Sequence, residues 1–172
     1  MMPVRLIALA SILLLVGCGR GKDRFDSPTK DILTNATKVE VFRIAGEEHP
    51  DQPLPAAEAN KRIGGFRVIA QGPDLGNEFA YKLAEVLFDK TTWTEDFAKC
   101  FWPGIAFRIW KNNEAVDVLI CFKCDNLYCG PSSDKGVREN ASFWHSPRRT
   151  DLLRLAKEAF PDDQEIQALE DK

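Results

Sequence analysis

The chain is 172 residues long, with 23 basic residues set against 26 acidic ones and a formal net charge of −3. That length suits one domain with a core of its own, needing neither a metal nor dense stapling to hold it together. The mild acidity argues against nucleic acid as a partner, because phosphate binding calls for clustered Lys and Arg, and a cluster such as Arg148-Arg149 is only two residues long.

Residues 1–20, MMPVRLIALASILLLVGCGR, place a single charge, Arg5, before an apolar run from Leu6 to Val16, and end it on Gly17 and Cys18. A positive start, an apolar stretch and small residues at its end are the parts of an export signal. Such a run makes roughly 16 Å of helix at about 1.5 Å per residue, well short of a hydrocarbon core of about 30 Å. A permanent transmembrane helix is the weaker reading. The segment Leu15-Val16-Gly17-Cys18 resembles the lipobox of bacterial lipoproteins. The resemblance implies diacylglycerol on the Cys18 sulfur, cleavage just before that residue and acylation of the new amino terminus. Two or more acyl chains hold a protein stably on a membrane where one does so only marginally. It also implies the cell envelope as the location and, with Gly19 after the cysteine, the outer membrane where the host has two. An ordinary secretory signal or a short buried helix is the alternative. The resemblance covers the first eighteen or so residues and carries no information on the rest.

The expected organisation is a leader over 1–17, a polar, flexible tether over 18–37 and a single domain over 38–172. Lys38 to Ile44 alternates as a first strand. Pro50, Pro53 and Pro55 mark the next stretch as a loop, and Gly64-Gly65 turns the chain into a second strand from Phe66 to Gln71. Pro73-Asp74 announces a helix with Asp74 as its N-cap, and Leu75, Phe79, Leu83, Val86 and Leu87 fall on one helical face. Ile105–Lys111 and Ala115–Cys124 read as a hairpin around Asn112-Asn113. Pairing Lys111 with Glu114 sets Ile109, Phe107 and Ile105 opposite Val116, Val118 and Ile120, and sets Arg108 opposite Asp117 on the other face. A slip of one residue would turn each apolar set outward. A short strand from Leu127 to Gly130 comes next. Ser146-Pro147 opens a last main helix with Leu152, Leu155, Ala156 and Ala159 as its apolar stripe, and Asp162 or Asp163 caps a final short turn. The expected class is α+β: a mostly antiparallel sheet of about five strands with two main helices packed on one face.

Four cysteines lie beyond Cys18, namely Cys100, Cys121, Cys124 and Cys129, and an even number in an exported domain suggests two disulfides. The hairpin register favours Cys100 with Cys124 and Cys121 with Cys129, provided Pro103-Gly104 bends the chain enough. Cys121-Phe122-Lys123-Cys124 also admits a redox pair, but such a pair wants its first cysteine at a helix N-terminus, and this one ends a strand. Covalent haem would need His where Asp125 stands. A four-cysteine zinc site would carry spacings unlike the usual paired knuckles. Structural disulfides or partly buried thiols take most of the weight.

His49 and His145 read as loop or capping residues. No nucleophile elbow, zinc-helix motif or phosphate loop is present in the sequence, so no catalytic, cofactor-binding or metal-binding residue is assigned. Trp110, with Arg108 and Leu119, lies on the hairpin face opposite Phe107 and Ile109 and is the candidate interaction face, unless a loop or the last helix covers it. The function expected is that of a lipid-anchored envelope protein that is not an enzyme and binds another envelope protein or a cell-wall component. The alternative is envelope thiol-redox or metal chemistry at Cys121 and Cys124.

Overall fold

The hairpin around Asn112-Asn113 sits inside a seven-stranded sheet. The structure is a computed structural model that describes residues 24–48, 61–96, 98–133 and 139–171. Its elements run α1 (Ser27–Thr34), β1 (Lys38–Ile44), β2 (Arg62–Ile63), β3 (Phe66–Gln71), α2 (Asn77–Phe88), β4 (Ile105–Lys111), β5 (Glu114–Cys121), β6 (Asn126–Pro131), β7 (Glu139–Ser142), α3 (Arg149–Ala159) and α4 (Gln164–Gln167). The strand order is β2-β3-β1-β4-β5-β6-β7. Each neighbouring pair is antiparallel. The class is α+β as expected, with β2 and β7 added to the strands read from sequence. β2 is only two residues long, and β7 carries the mixed run Glu-Asn-Ala-Ser, so neither leaves an apolar alternation to read.

The β4–β5 register pairs Lys111 with Glu114, Arg108 with Asp117 and Phe107 with Val118, as the two sequence patterns require. Asn112 takes a φ of 54°, which the tight turn between the strands demands. Parity then sorts the side chains. Val39, Val41, Ile105, Phe107, Ile109, Val116, Val118 and Ile120 share one core with the buried residues of all four helices. Phe42, Ile44, Ala106 and Leu119 point to the other side, where the β2–β3 hairpin folds back and covers them with Ile63 and Phe66. Gly64 makes that return possible: its φ is 59°, and a Cβ there would stand 2.5 Å from Leu119 Cδ2. Among the described residues, no helix is long and apolar enough to cross a membrane.

Three expectations need correction. From Arg24 onward the segment read as tether is folded: Asp26 accepts a hydrogen bond from the Thr29 N–H at 2.9 Å and caps α1, while Phe25, Ile32 and Leu33 are buried. Phe25 packs edge-on against Phe88 and Trp93. Three apolar residues in a charged stretch are enough here because all of them face the core. Second, α2 starts at Asn77 with Gly76 as its cap, because Leu75 instead exchanges backbone hydrogen bonds with Val39, and Asp74 pairs with Lys38 at 3.1 Å. Third, α3 begins two residues later than Ser146-Pro147 implies. The Ser146 hydroxyl accepts from the Arg148 N–H and donates to the Thr91 carbonyl, tying the approach to the helix down before it starts. Asp163 does cap α4. The proline-rich loop and His49 lie outside the described residues, as does the leader with Cys18.

A folded α1 has a measurable consequence. Leu33→Ala empties a site that is 1% exposed, so chemical denaturation of the purified protein is expected to show a loss of about 2–5 kcal/mol. A residue in a solvated tether would show none.

Candidate functional site

β5 ends at Cys121, and residues 122–125 turn the chain into β6. The turn closes with Asp125 in the left-handed region at φ 49°. Its side chains are held from three directions. Phe122 is buried against Phe143 at 5.8 Å, and the Arg149 guanidinium lies 5.8 Å from the Phe122 ring centre. The Asp125 carbonyl accepts from the Phe143 N–H at 2.8 Å and from the Ser142 hydroxyl. The Asp125 carboxylate meets Arg149 Nε at 3.0 Å, with both residues buried.

This arrangement brings the Cys121 and Cys124 sulfurs to 2.6 Å, both of them buried. A third sulfur joins them. Asn126, opposite Cys121 in the ladder, donates from Nδ2 to the carbonyls of Ala98 at 2.8 Å and Cys100 at 3.1 Å. That clamp lays the 98–102 segment over the turn, where Cys100 and Cys124 line one cavity. Cys100 itself is exposed.

Beside the sulfurs opens a cavity of about 260 Å³ lined by Cys100, Lys123, Cys124, Asp125, Trp144, His145 and Arg149. Trp144 is 45% exposed and stacks on the His145 ring with centres 5.1 Å apart. His145 has a φ of 58°. Of the three non-glycine residues in the left-handed region among those described, Asn112 serves a hairpin turn and the other two line this cavity. Such backbone is costly and tends to collect where function holds it in place. A larger cleft of about 590 Å³ lies against Trp102, Pro103, Phe122 and Lys123, so Lys123 borders both spaces. Trp102 is 54% exposed, with the Lys123 ammonium 5.9 Å from its ring.

The chemistry open to the sulfurs is narrow. Burial pushes the Cys124 thiol well above the usual range, and the neighbouring Cys121 and Cys100 thiols push the same way. A thiol held protonated is a slow nucleophile. No helix follows Cys124 to lower it, since the chain runs directly into β6. Two thiolates bound to one zinc at about 2.3 Å in tetrahedral geometry stand about 3.8 Å apart, far wider than the 2.6 Å seen here. Among the described residues, no group of three His, Cys, Asp or Glu side chains is placed to hold a metal. Disulfide chemistry fits the spacing better than metal binding.

Two sequence-based assignments are overturned. Cys121 cannot bond Cys129: in the β5–β6 ladder Cys121 stands opposite Asn126 and Cys129 opposite Val118. Three rungs at about 3.4 Å separate them, beyond the roughly 7 Å that a disulfide spans, and Cys129 is buried in the helix-side core. Cys100 and Cys124 do line one cavity, but among the described residues no two cysteines are joined by a disulfide. The face formed by Trp110, Arg108 and Leu119 is not an open apolar patch. Trp110 Nε1 donates to Glu40 at 2.7 Å, Arg108 makes a two-pronged pair with Asp117, and Leu119 is buried under the β2–β3 hairpin. The exposed indoles are Trp102 and Trp144 instead. Sequence reasoning missed these two together with Asp125 and Arg149. Two tryptophans bracketing a run of cysteines were visible in the sequence; nothing in it linked Arg149 to Asp125.

In the reduced, folded chain near pH 8, iodoacetamide is expected to modify Cys100 at least about tenfold faster than Cys121, Cys124 or Cys129, because the exposed thiol alone meets the reagent. Peptide mass mapping against a guanidinium-unfolded sample checks this; equal labelling before unfolding would contradict the arrangement. Comparison with protein-family models, with curated proteins and with solved structures finds no match to the chain.

Proposed function

We propose that this chain is a bacterial envelope lipoprotein, cut before Cys18 and anchored by acyl chains on that sulfur, whose domain works by binding an envelope protein. The four residues Leu15-Val16-Gly17-Cys18 support the anchor. Arg24 packs on Trp93 and α1 follows it directly, which gives the anchor a consequence. Six residue steps of at most about 3.6 Å each keep Arg24 within about 22 Å of the acylated cysteine. The domain is thereby held close to the lipid surface, on the outer membrane in a host with two. Binding is supported by one observation above others: two large indoles, Trp102 and Trp144, stand exposed beside the two cavities that Lys123 shares. Exposed aromatics beside shallow clefts are the usual anchors of a protein interface.

A second reading, thiol–disulfide chemistry in the envelope, has the approach of Cys121 to Cys124 in its favour. The two readings are compatible, because the indoles border the sulfur site.

Placing a photo-crosslinking amino acid at position 102 in intact cells tests the first reading. The full chain is expected to give a discrete protein adduct, and mass spectrometry of the mature chain to give an acylated Cys18 at its amino terminus. The Cys18→Ser variant is expected to lose the adduct. An unmodified Cys18 would contradict the anchor; no protein adduct, or adducts to glycan alone, would contradict the binding role.

A further inference from the structure

The sulfur cluster has an inside and an outside. Cys121 and Cys124 are buried with their sulfurs 2.6 Å apart, while Cys100 is exposed, lines the same cavity as Cys124 and has its carbonyl clamped by Asn126. The three are therefore in line: solvent, Cys100, Cys124, Cys121. We propose that they form a disulfide relay, in which the exposed Cys100 exchanges with a disulfide-bearing partner and passes the bond through Cys124 to Cys121. The proposal rests on the thiol–disulfide reading above and assigns the order of events within it.

The steps balance with one co-reactant, a protein or small-molecule disulfide R–S–S–R′ of the oxidising envelope. The Cys100 thiolate attacks one sulfur, forming Cys100–S–S–R, and R′–S⁻ leaves and takes up the proton that Cys100 gave. Cys124 gives up its proton and attacks the Cys100 sulfur, forming the Cys100–Cys124 bond and releasing R–SH. Cys121 then attacks the Cys124 sulfur, forming Cys121–Cys124 and returning Cys100 as a thiol. The net change is one disulfide reduced to two thiols outside and two thiols oxidised to one disulfide inside. Run backwards, the same steps reduce the buried pair.

Each position suits its part. Attack on an external disulfide needs an accessible thiol, and Cys100 is the exposed member of the three. The buried pair is shielded from direct exchange, so it keeps its bond once formed. Proximity replaces nucleophilicity in the inner steps, because a held thiol can act at a high effective concentration. The clamp from Asn126 to the carbonyls of Ala98 and Cys100 keeps the outer thiol over the inner one. Trp102 and Trp144 stand at the mouth, where the partner would have to seat.

The test uses the full chain, purified in detergent in the reduced state, with oxidised glutathione as the probe and acid-quenched samples mapped by mass spectrometry. A transient glutathione adduct on Cys100 is expected first, followed by a Cys121–Cys124 disulfide with Cys100 free. Cys100→Ser, a change at an exposed position, is expected to slow formation of that disulfide at least about tenfold, as loss of the accessible attacking thiol requires. Cys121→Ser is expected to stop the relay at Cys100–Cys124. A pair that oxidises as fast in Cys100→Ser as in the native chain overturns the relay and leaves thiol–disulfide chemistry standing. A pair that never oxidises overturns both, and so does a bridge that includes Cys129.

Discussion

The buried ion pair between Asp125 and Arg149 is the constraint on which the site depends. It joins the turn after β5 to the first residue of α3, two parts of the chain that lie 24 residues apart. Both partners are buried, and the guanidinium is held from several sides: Nε on Asp125, Nη1 on the Glu170 carbonyl and the Asp171 carboxylate, and its face toward Phe122. A buried charge is tolerable only when its partner is in place. The turn therefore has one low-energy position, and the position of Cys124 is set by it. The C-terminal residues, reached through Arg149, belong to the same assembly.

Sheet parity supplies the second constraint. One register error in β5 would exchange Val118 with Leu119 and carry Cys121 to the helix side. In the observed register Cys121 and Cys129 lie on opposite faces, and so Cys129 becomes a core residue packed under the helices while Cys121 meets Cys124. The sulfurs are thus sorted by the same alternation that builds the two apolar layers. Parity sets Cys129 apart, and the turn at 122–125 brings Cys124 back to Cys121.

Much of the sheet is readable from the residues because independent patterns coincide. Apolar alternation and the Arg108–Asp117 pair choose the same β4–β5 register, and a wrong register would violate both at once. The N-terminal helix is not readable in this way. Its segment is dominated by Asp, Lys and Thr, and Phe25, Ile32 and Leu33 reveal their common direction only when the chain is folded. The Trp110 face misleads for a related reason: Glu40 comes from β1, 70 residues away, and its carboxylate turns an apparent apolar patch into a polar, hydrogen-bonded surface. The candidate site is half legible. Its cysteines are conspicuous, but the residue that holds their turn, Arg149, looks like half of an ordinary basic pair in front of a helix.

The sulfur site bordered by indoles and the proposed lipid anchor are what the proposal of a protein working at a surface rests on. The sulfur site depends on the turn at 122–125 keeping its place. A double-mutant cycle in chemical denaturation, with Asp125→Asn, Arg149→Met and the two combined, measures that directly. A coupling of about 1–3 kcal/mol between the two positions is expected, the size found for side chains in direct contact. Additive effects within about 0.5 kcal/mol, as seen for independent sites, would contradict it.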